Sequence, residues 1–234
     1  MTSQPTAAGE PFADLTDARY ALPAAAALVA SGAFTVDMTM PAQQWFRWKS
    51  GIQAPCGCNC RRLNALPAFR RLIDDALAEV TRSSFPEADY IVAVAHAGIP
   101  WAKTVAERLD LPLAYVRAEP RTPGAAVVEC SPGQGDSAVL VEDVVASGGS
   151  AAAAIQALHA ETGLRVAGVL SIANWNFPRM RALLSPWTVR SLTSYPQVLA
   201  SARDAGLVSA ADVAELRRFY ADPERHSWHD VAGR

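Results

Sequence analysis

From residue 90 onward the apolar positions fall into short, nearly unbroken runs. Tyr90-Ile91-Val92-Ala93-Val94-Ala95, Leu111-Pro112-Leu113-Ala114-Tyr115-Val116, Ala138-Val139-Leu140-Val141 and the stretch 166–172 lack the polar alternation of a strand with one wet face. Such runs suit strands covered on both sides. Segments of helical period lie at 101–109 and 150–159, and a loop of about twenty residues bearing Pro and Gly separates the second run from the third. Strand, helix, strand, loop, strand, helix, strand predicts an α/β fold: a central parallel sheet with helices on both faces.

The flanks read differently. Phe69, Leu72, Ile73, Leu77 and Val80 keep a helical period and predict a helix over 67–82. A helix is also predicted over 13–32, with Leu15, Leu22, Ala26 and Leu28 on one stripe and Gly32 as its stop. Between them, Phe34, Val36, Met38, Phe46 and Trp48 have mixed spacing and predict short strands and turns. The tail over 195–222 reads as helical with a break at Gly206. There Ser209 with Asp212 makes a helix start, and Val213, Leu216, Phe219 and Tyr220 face inward. Residues 1–12 are small, polar and Pro-containing, a disordered start.

At 234 residues and 50% hydrophobic, the chain can bury one sizeable core without disulfides or metal. A net charge of -2 argues against a surface built to track nucleic-acid phosphates. No apolar run is long enough to cross a bilayer, and nothing reads as a secretory signal. Three of the four cysteines, Cys56, Cys58 and Cys60, cluster away from Cys130, which suits a thiol-reducing, cytoplasmic setting. Only two of the 21 basic residues are lysines, Lys49 and Lys103.

The chemistry concentrates in Val139-Leu140-Val141-Glu142-Asp143-Val144-Val145-Ala146-Ser147-Gly148-Gly149-Ser150. A buried strand ends in two acids, and a seven-residue turn rich in Gly and Ser opens a helix. Ligands of open α/β sheets bind beyond the carboxyl ends of the strands. Backbone N–H groups of 146–150, with the N-terminus of the next helix, form an anion cradle. Ser147 and Ser150 add hydroxyls, while Gly148 and Gly149 let a phosphate approach the backbone. Adjacent carboxylates accept hydrogen bonds from sugar hydroxyls, so the combination predicts a sugar phosphate. The alternative is a polar strand end and a flexible turn. The turn is neither a P-loop nor a GxGxxG dinucleotide turn.

This segment resembles the binding motif for 5-phosphoribosyl 1-diphosphate (PRPP) of type I phosphoribosyltransferases. Other segments are similar to orotate phosphoribosyltransferases. Phe46-Arg47-Trp48-Lys49-Ser50-Gly51-Ile52-Gln53-Ala54-Pro55, then Cys58-Asn59-Cys60-Arg61, resembles their N-terminal signature. Ala95-His96-Ala97-Gly98-Ile99-Pro100 resembles their diphosphate loop, and 115–124 falls where they carry a mobile catalytic loop. Phe219-Tyr220-Ala221-Asp222-Pro223, with Trp228 beyond, resembles their tail. The likeness runs over roughly 20–228. It implies a type I phosphoribosyltransferase fold with a small N-terminal hood. The single domain would span 13–234, with hood elements at about 13–65, a PRPP-binding core at about 66–190 and a helical tail at about 191–234.

The resemblance also implies an activity: transfer of ribose 5-phosphate from PRPP to orotate with release of diphosphate, in pyrimidine biosynthesis. Mg²⁺ would ride on PRPP, and a homodimer would let the mobile loop reach across the interface. Glu142 and Asp143 match the acids on the ribose hydroxyls. Val144 and Val145 lead into the 5′-phosphate cradle formed by Ala146, Ser147, Gly148, Gly149 and Ser150. Arg117 matches a diphosphate-binding arginine, His96 and Ala97 the diphosphate loop, and Lys49 a lysine near PRPP and base.

Several positions depart from the family. Arg121 replaces the catalytic lysine, Ala118 a further lysine and Pro123 a histidine. Arginine still binds diphosphate bidentately but gives up no proton at neutral pH. The arginine for the orotate carboxylate falls at Trp175, which offers stacking on a flat base instead. The cradle threonine is Ala146, and the aromatic residue expected after Ser-Pro is Gly57.

Other features carry less. C-x-C-x-C with Cys130 is a poor zinc set and reads as small thiols on the pocket wall. His226 and His229 read as a surface tail, and Arg61-Arg62 and Arg70-Arg71 as a solvated face or dimer interface. Two function classes remain. One is a phosphoribosyltransferase acting on orotate or another flat base. The other is a PRPP- or nucleotide-binding regulator that kept the cradle and lost turnover.

Overall fold

The unbroken apolar runs become the middle of one twisted sheet. The computed structural model describes residues 15–41, 44–48, 51–129 and 137–223. The expected disordered start, Lys49, Cys130, His226, Trp228 and His229 lie outside the described residues. The strands are β1 (Phe34–Val36), β2 (Phe46–Arg47), β3 (Gln53–Ala54), β4 (Cys56–Cys58), β5 (Tyr90–Val94), β6 (Leu113–Val116), β7 (Val128–Glu129), β8 (Ser137–Val145), β9 (Arg165–Asn174) and β10 (Thr188–Ser194). β1 pairs with β4 and β2 with β3, both antiparallel, in two small N-terminal sheets. The main sheet has the order β10-β9-β8-β5-β6-β7 and is parallel except for the edge pair β6–β7.

Seven helices are described: α1 (Ala21–Ala30), α2 (Pro67–Ser84), α3 (Ile99–Leu109), α4 (Gly149–Thr162), α5 (Pro178–Leu184), α6 (Tyr195–Asp204) and α7 (Ala210–Ala221). Successive strand residues point to opposite faces. Ile91, Ala93, Val139, Val141, Leu170 and Ile172 therefore pack with Ile73 and Leu77 of α2 and Trp101 and Val105 of α3. Tyr90, Val92, Ala138, Leu140 and Val169 pack on the other side with Ile155 and Leu158 of α4 and Met180 of α5. Both faces are dry, which is why these strands carry no polar alternation. At the tail, Ser209 and Asp212 form the expected capping box of α7, with Val213, Leu216 and Phe219 buried.

The structure corrects several expectations. The first helix begins at Ala21, not at 13. Residues 15–17 instead run beside β10, where Thr16 bridges Ser191 and the Leu15 carbonyl accepts the Ser191 N–H at 2.9 Å. The buried stripe of α1 is Ala21, Ala24, Ala25, Ala27 and Leu28, while Leu22 is 60% exposed. An alanine-rich helix has small side chains all round, so its pattern barely marks a face. Gly32, at φ +66°, does turn the chain just beyond that helix. β8 does not end at the acids but runs two residues past them, to Val145. Pairing with β9 continues through Glu142↔Ser171, Val144↔Ala173 and Val145↔Asn174, leaving only residues 146–148 as the turn. β10 gives little signal because it is polar, yet buried. Its Ser191 hydroxyl meets that of Ser171 at 2.7 Å, so each satisfies the other inside the protein.

Two consequences are measurable. A Cβ at Gly168 would collide with the Phe85 ring and the Thr188 carbonyl. Gly168→Ala should therefore lower the unfolding free energy by about 2 kcal/mol or more in a urea titration; an unchanged midpoint would contradict this packing. The Cys56 thiol is fully buried 3.5 Å from the Tyr195 hydroxyl, and burial pushes it from 9.0 up to about 12. Burial also raises Tyr195 and Tyr220. These groups are neutral when protonated, and the unfolded chain ionises them first. The stability from Cys56 keeping its proton is thus complete below about pH 9 and is lost as pH climbs toward 12. The urea midpoint should fall across that window, and Cys56→Ala should make the fall shallower; an identical slope in the variant would refute the assignment.

Candidate active site

Beyond Val141 the neighbours of β8 part company. β5 pairs with β8 only as far as Ala93↔Val141, while β9 stays paired to Val145. A cavity of about 930 Å³ opens on the β5 side. Its floor is Glu142, Asp143 and Val144 of β8, followed by Ala146, Ser147, Gly148, Gly149 and Ser150. His96 and Ala97 form one flank. Thr35, Phe46, Arg47, Trp48, Gly57 and Cys58, from the small N-terminal sheets, form the facing wall.

Local geometry explains how these groups meet. Gly98 passes so close to β8 that a Cβ would collide with the carbonyl oxygens of Val141 and Val94. Glycine here lets the segment after β5, which contains a cis Ala95–His96 peptide, tuck beside the acids. Gly148 caps α4 at φ +79°, without a side-chain cap, and a Cβ there would press on Met180 and Leu184 at 3.3 Å. The first N–H groups of a 14-residue helix thus stand at the cavity, with the positive end of its dipole. Glu142 is 9% exposed and Asp143 half-buried, its Oδ1 accepting the Val144 N–H at 2.9 Å.

Positive charge surrounds this acidic floor. Arg47, Arg61, Arg62 and Arg179 all line the cavity. Arg61 is steadied by donating from Nε to Asn59 Oδ1 at 3.0 Å. One buried and one half-buried acid under four arginines and a helix N-terminus suit a ligand with several negative charges and a few hydroxyls.

Not every predicted site residue arrives. Arg117 and Arg121 do not line the cavity. Arg121 Nε lies 2.8 Å from Glu129 Oε1, and an Arg117 nitrogen 3.7 Å from the same oxygen. Both sit on the loop between β6 and β7, at the sheet edge and away from β8. Val145 is buried beneath the floor rather than on it. Trp175 reaches the cavity but is only 2% exposed, because its ring packs against Tyr195 at 5.1 Å and Trp48 at 6.2 Å. The stacking face expected of it is therefore largely covered.

Arg47, Arg179 and Phe46 join the cavity without having been expected there, and Arg61 and Arg62, expected on a solvated face or dimer interface, line it too. Phe46, Arg47 and Arg61 belong to the N-terminal signature, so their signal is present in the sequence; Arg179 sits in α5, which has none. The three described cysteines, Cys56, Cys58 and Cys60, do not gather into a ligand set. Cys58 and Cys60 sulfurs are 3.7 Å apart and Cys60 lies 4.0 Å from the Asp143 carbonyl, whereas Cys56 turns to Tyr195. Hydrogen bonding with Cys58, and burial, hold the Cys60 thiol well above its ordinary range. Among the described residues no group of three acids, thiols or imidazoles is placed to hold a metal.

Known proteins resemble this chain over most of its length. The phosphoribosyl transferase domain matches residues 60–175. Orotate phosphoribosyltransferase of Bacillus caldolyticus is 37% identical over 203 residues, covering 86% of this chain and 96% of that protein. The Streptococcus gordonii enzyme of the same name is 34% identical over 187 residues, covering 79% and 88%. Among solved structures, orotate phosphoribosyltransferase from Aeropyrum pernix superposes with a TM-score of 0.66 at 28% identity, covering 79% of this chain and 99% of that one. Leishmania donovani UMP synthase gives 0.70 at 25% identity, covering 85% of this chain and 42% of that longer one. Identity of this order along nearly the whole length of such relatives, on the same fold, makes the chain a member of the orotate phosphoribosyltransferase family.

Proposed function

We propose that the chain transfers ribose 5-phosphate from PRPP to orotate, releasing diphosphate, as a cytoplasmic enzyme of pyrimidine nucleotide synthesis. The observation that carries the proposal is the acid pair near the end of β8, one short turn before the N-terminus of α4, which has no side-chain cap, in a cavity lined by four arginines. Backbone N–H groups of 146–150 hold the 5′-phosphate, with the Ser147 and Ser150 hydroxyls beside them. Glu142 and Asp143 accept the ribose hydroxyls. His96, Ala97 and the rim arginines receive the diphosphate.

In the reaction the bond from C1′ to the diphosphate oxygen breaks as a bond from the base nitrogen to C1′ forms. The electron pair leaves with diphosphate, and positive charge grows on the ribose. Glu142 and Asp143, fixed in a part-buried floor, stabilise that charge without reorganising. The cavity positions the two reactants. The proton of the base nitrogen passes to diphosphate or solvent, since the guanidinium of Arg121 is already protonated at neutral pH and accepts none. Glu142 and Asp143 are the carboxylates that line the cavity and would hold Mg²⁺ bound with PRPP, which would supply neutralisation of the diphosphate charge. Arg117 and Arg121 serve the diphosphate of a second copy in a homodimer, because their loop stands apart from the cavity of its own chain.

The altered loop and base pocket favour a second reading, a PRPP-binding regulator without turnover, and one assay separates the two. With Mg²⁺, PRPP and orotate the protein should release diphosphate. Asp143→Asn should lower kcat/KM for PRPP about 100-fold with an unchanged melting temperature. No release with any pyrimidine or purine base, despite PRPP binding, would select the regulator. Undiminished use of PRPP by the variant would remove the acid from its role.

A further inference from the structure

Of the large apolar side chains exposed among the described residues, Phe46, at 37%, is the one aromatic and the one that lines the cavity. Its position is built. Pairing of Phe46 with Ala54 and of Gly57 with Thr35 sets the two backbones. The Phe46 Cγ and Cδ1 lie 3.5 and 3.6 Å from where a Cβ on Gly57 would stand. The ring therefore occupies the space that a longer side chain at 57 would enter.

The other aromatics of the wall are committed elsewhere. Trp48 stacks on Phe177 at 6.0 Å and 18°, and donates its indole N–H to the Cys56 carbonyl at 3.2 Å. Trp175 is 2% exposed. Phe46 is left as the aromatic surface offered to a ligand, and aromatic rings bind flat heterocycles through their faces. The wall also stands in the right place. Cys60, three residues past Gly57, puts its sulfur 4.0 Å from the Asp143 carbonyl, so this strand borders the acids. With phosphate on 146–150 and ribose on Glu142 and Asp143, the base extends toward Phe46.

We propose that Phe46, seated over Gly57, is the residue that stacks on the pyrimidine ring and so selects a flat aromatic base. This rests on the phosphoribosyl transfer proposed above. In steady-state assays Phe46→Ala should raise the KM for orotate about tenfold or more while the KM for PRPP stays within twofold of wild type, with about the threshold expected of a lost stacking partner. Phe46→Tyr, which keeps the ring, should restore the wild-type KM. Equal changes in both KM values, or an unchanged KM for orotate, would overturn the proposal.

A binding titration keeps the inference testable apart from turnover. Phe46→Ala should weaken orotidine 5′-monophosphate by a similar factor and leave ribose 5-phosphate untouched. If wild type releases no diphosphate yet this split appears, the transfer reading fails and the stacking role stands. If both ligands weaken together, or neither does, Phe46 is not the stacking residue. A wild-type chain that binds neither ligand refutes both.

Discussion

Two carboxylates can stand beside the N-terminus of α4 here because β8 is gripped unevenly. On one side β9 holds it to its last residue; on the other, β5 lets go at Val141. The β9 ladder, running on through Glu142↔Ser171 and Val144↔Ala173, fixes Glu142 and Asp143, and the end of the β5 ladder leaves the room in which a ligand meets them. Gly98 completes the arrangement by letting the segment after β5 pass against the Val141 carbonyl. A site placed on a strand between two dry cores inherits their rigidity, and preorganisation of that kind is what electrostatic stabilisation of a developing charge requires.

Burying acids costs free energy unless opposite charge lies near. In this cavity the compensation comes from four separate parts of the chain: the α4 N-terminus, Arg47 on β2, the Arg61-Arg62 pair and Arg179 on α5. The loop arginines, Arg117 and Arg121, are instead neutralised by Glu129 at the sheet edge. Their charge is thus available to a diphosphate only if the Glu129 pairing is exchanged for it.

Much of this was legible in the sequence, for a physical reason. β5, β6, β8 and β9 announce themselves because strands covered on both sides need unbroken apolar runs, and the cradle because its parts are contiguous from 142 to 150. Less was legible where partners are distant or the pattern is weak. The buried serines of β10 satisfy each other across strands, which no local pattern records. The alanines of α1 mark no face. Phe46 and Gly57 are brought together only by two small antiparallel pairs, and the burial of Trp175 depends on Tyr195 from α6. The sites of Arg117 and Arg121 depend on an edge strand, β7, that carries too few residues to signal itself.

The account stands or falls on where a phosphorylated pentose sits. A crystal structure of the chain with Mg²⁺ and PRPP addresses this directly. The 5′-phosphate oxygens should lie about 2.9 Å from backbone nitrogens of 146–150, with the ribose hydroxyls on Glu142 and Asp143. PRPP bound with its 5′-phosphate away from that turn, or its ribose away from those two acids, would contradict the account.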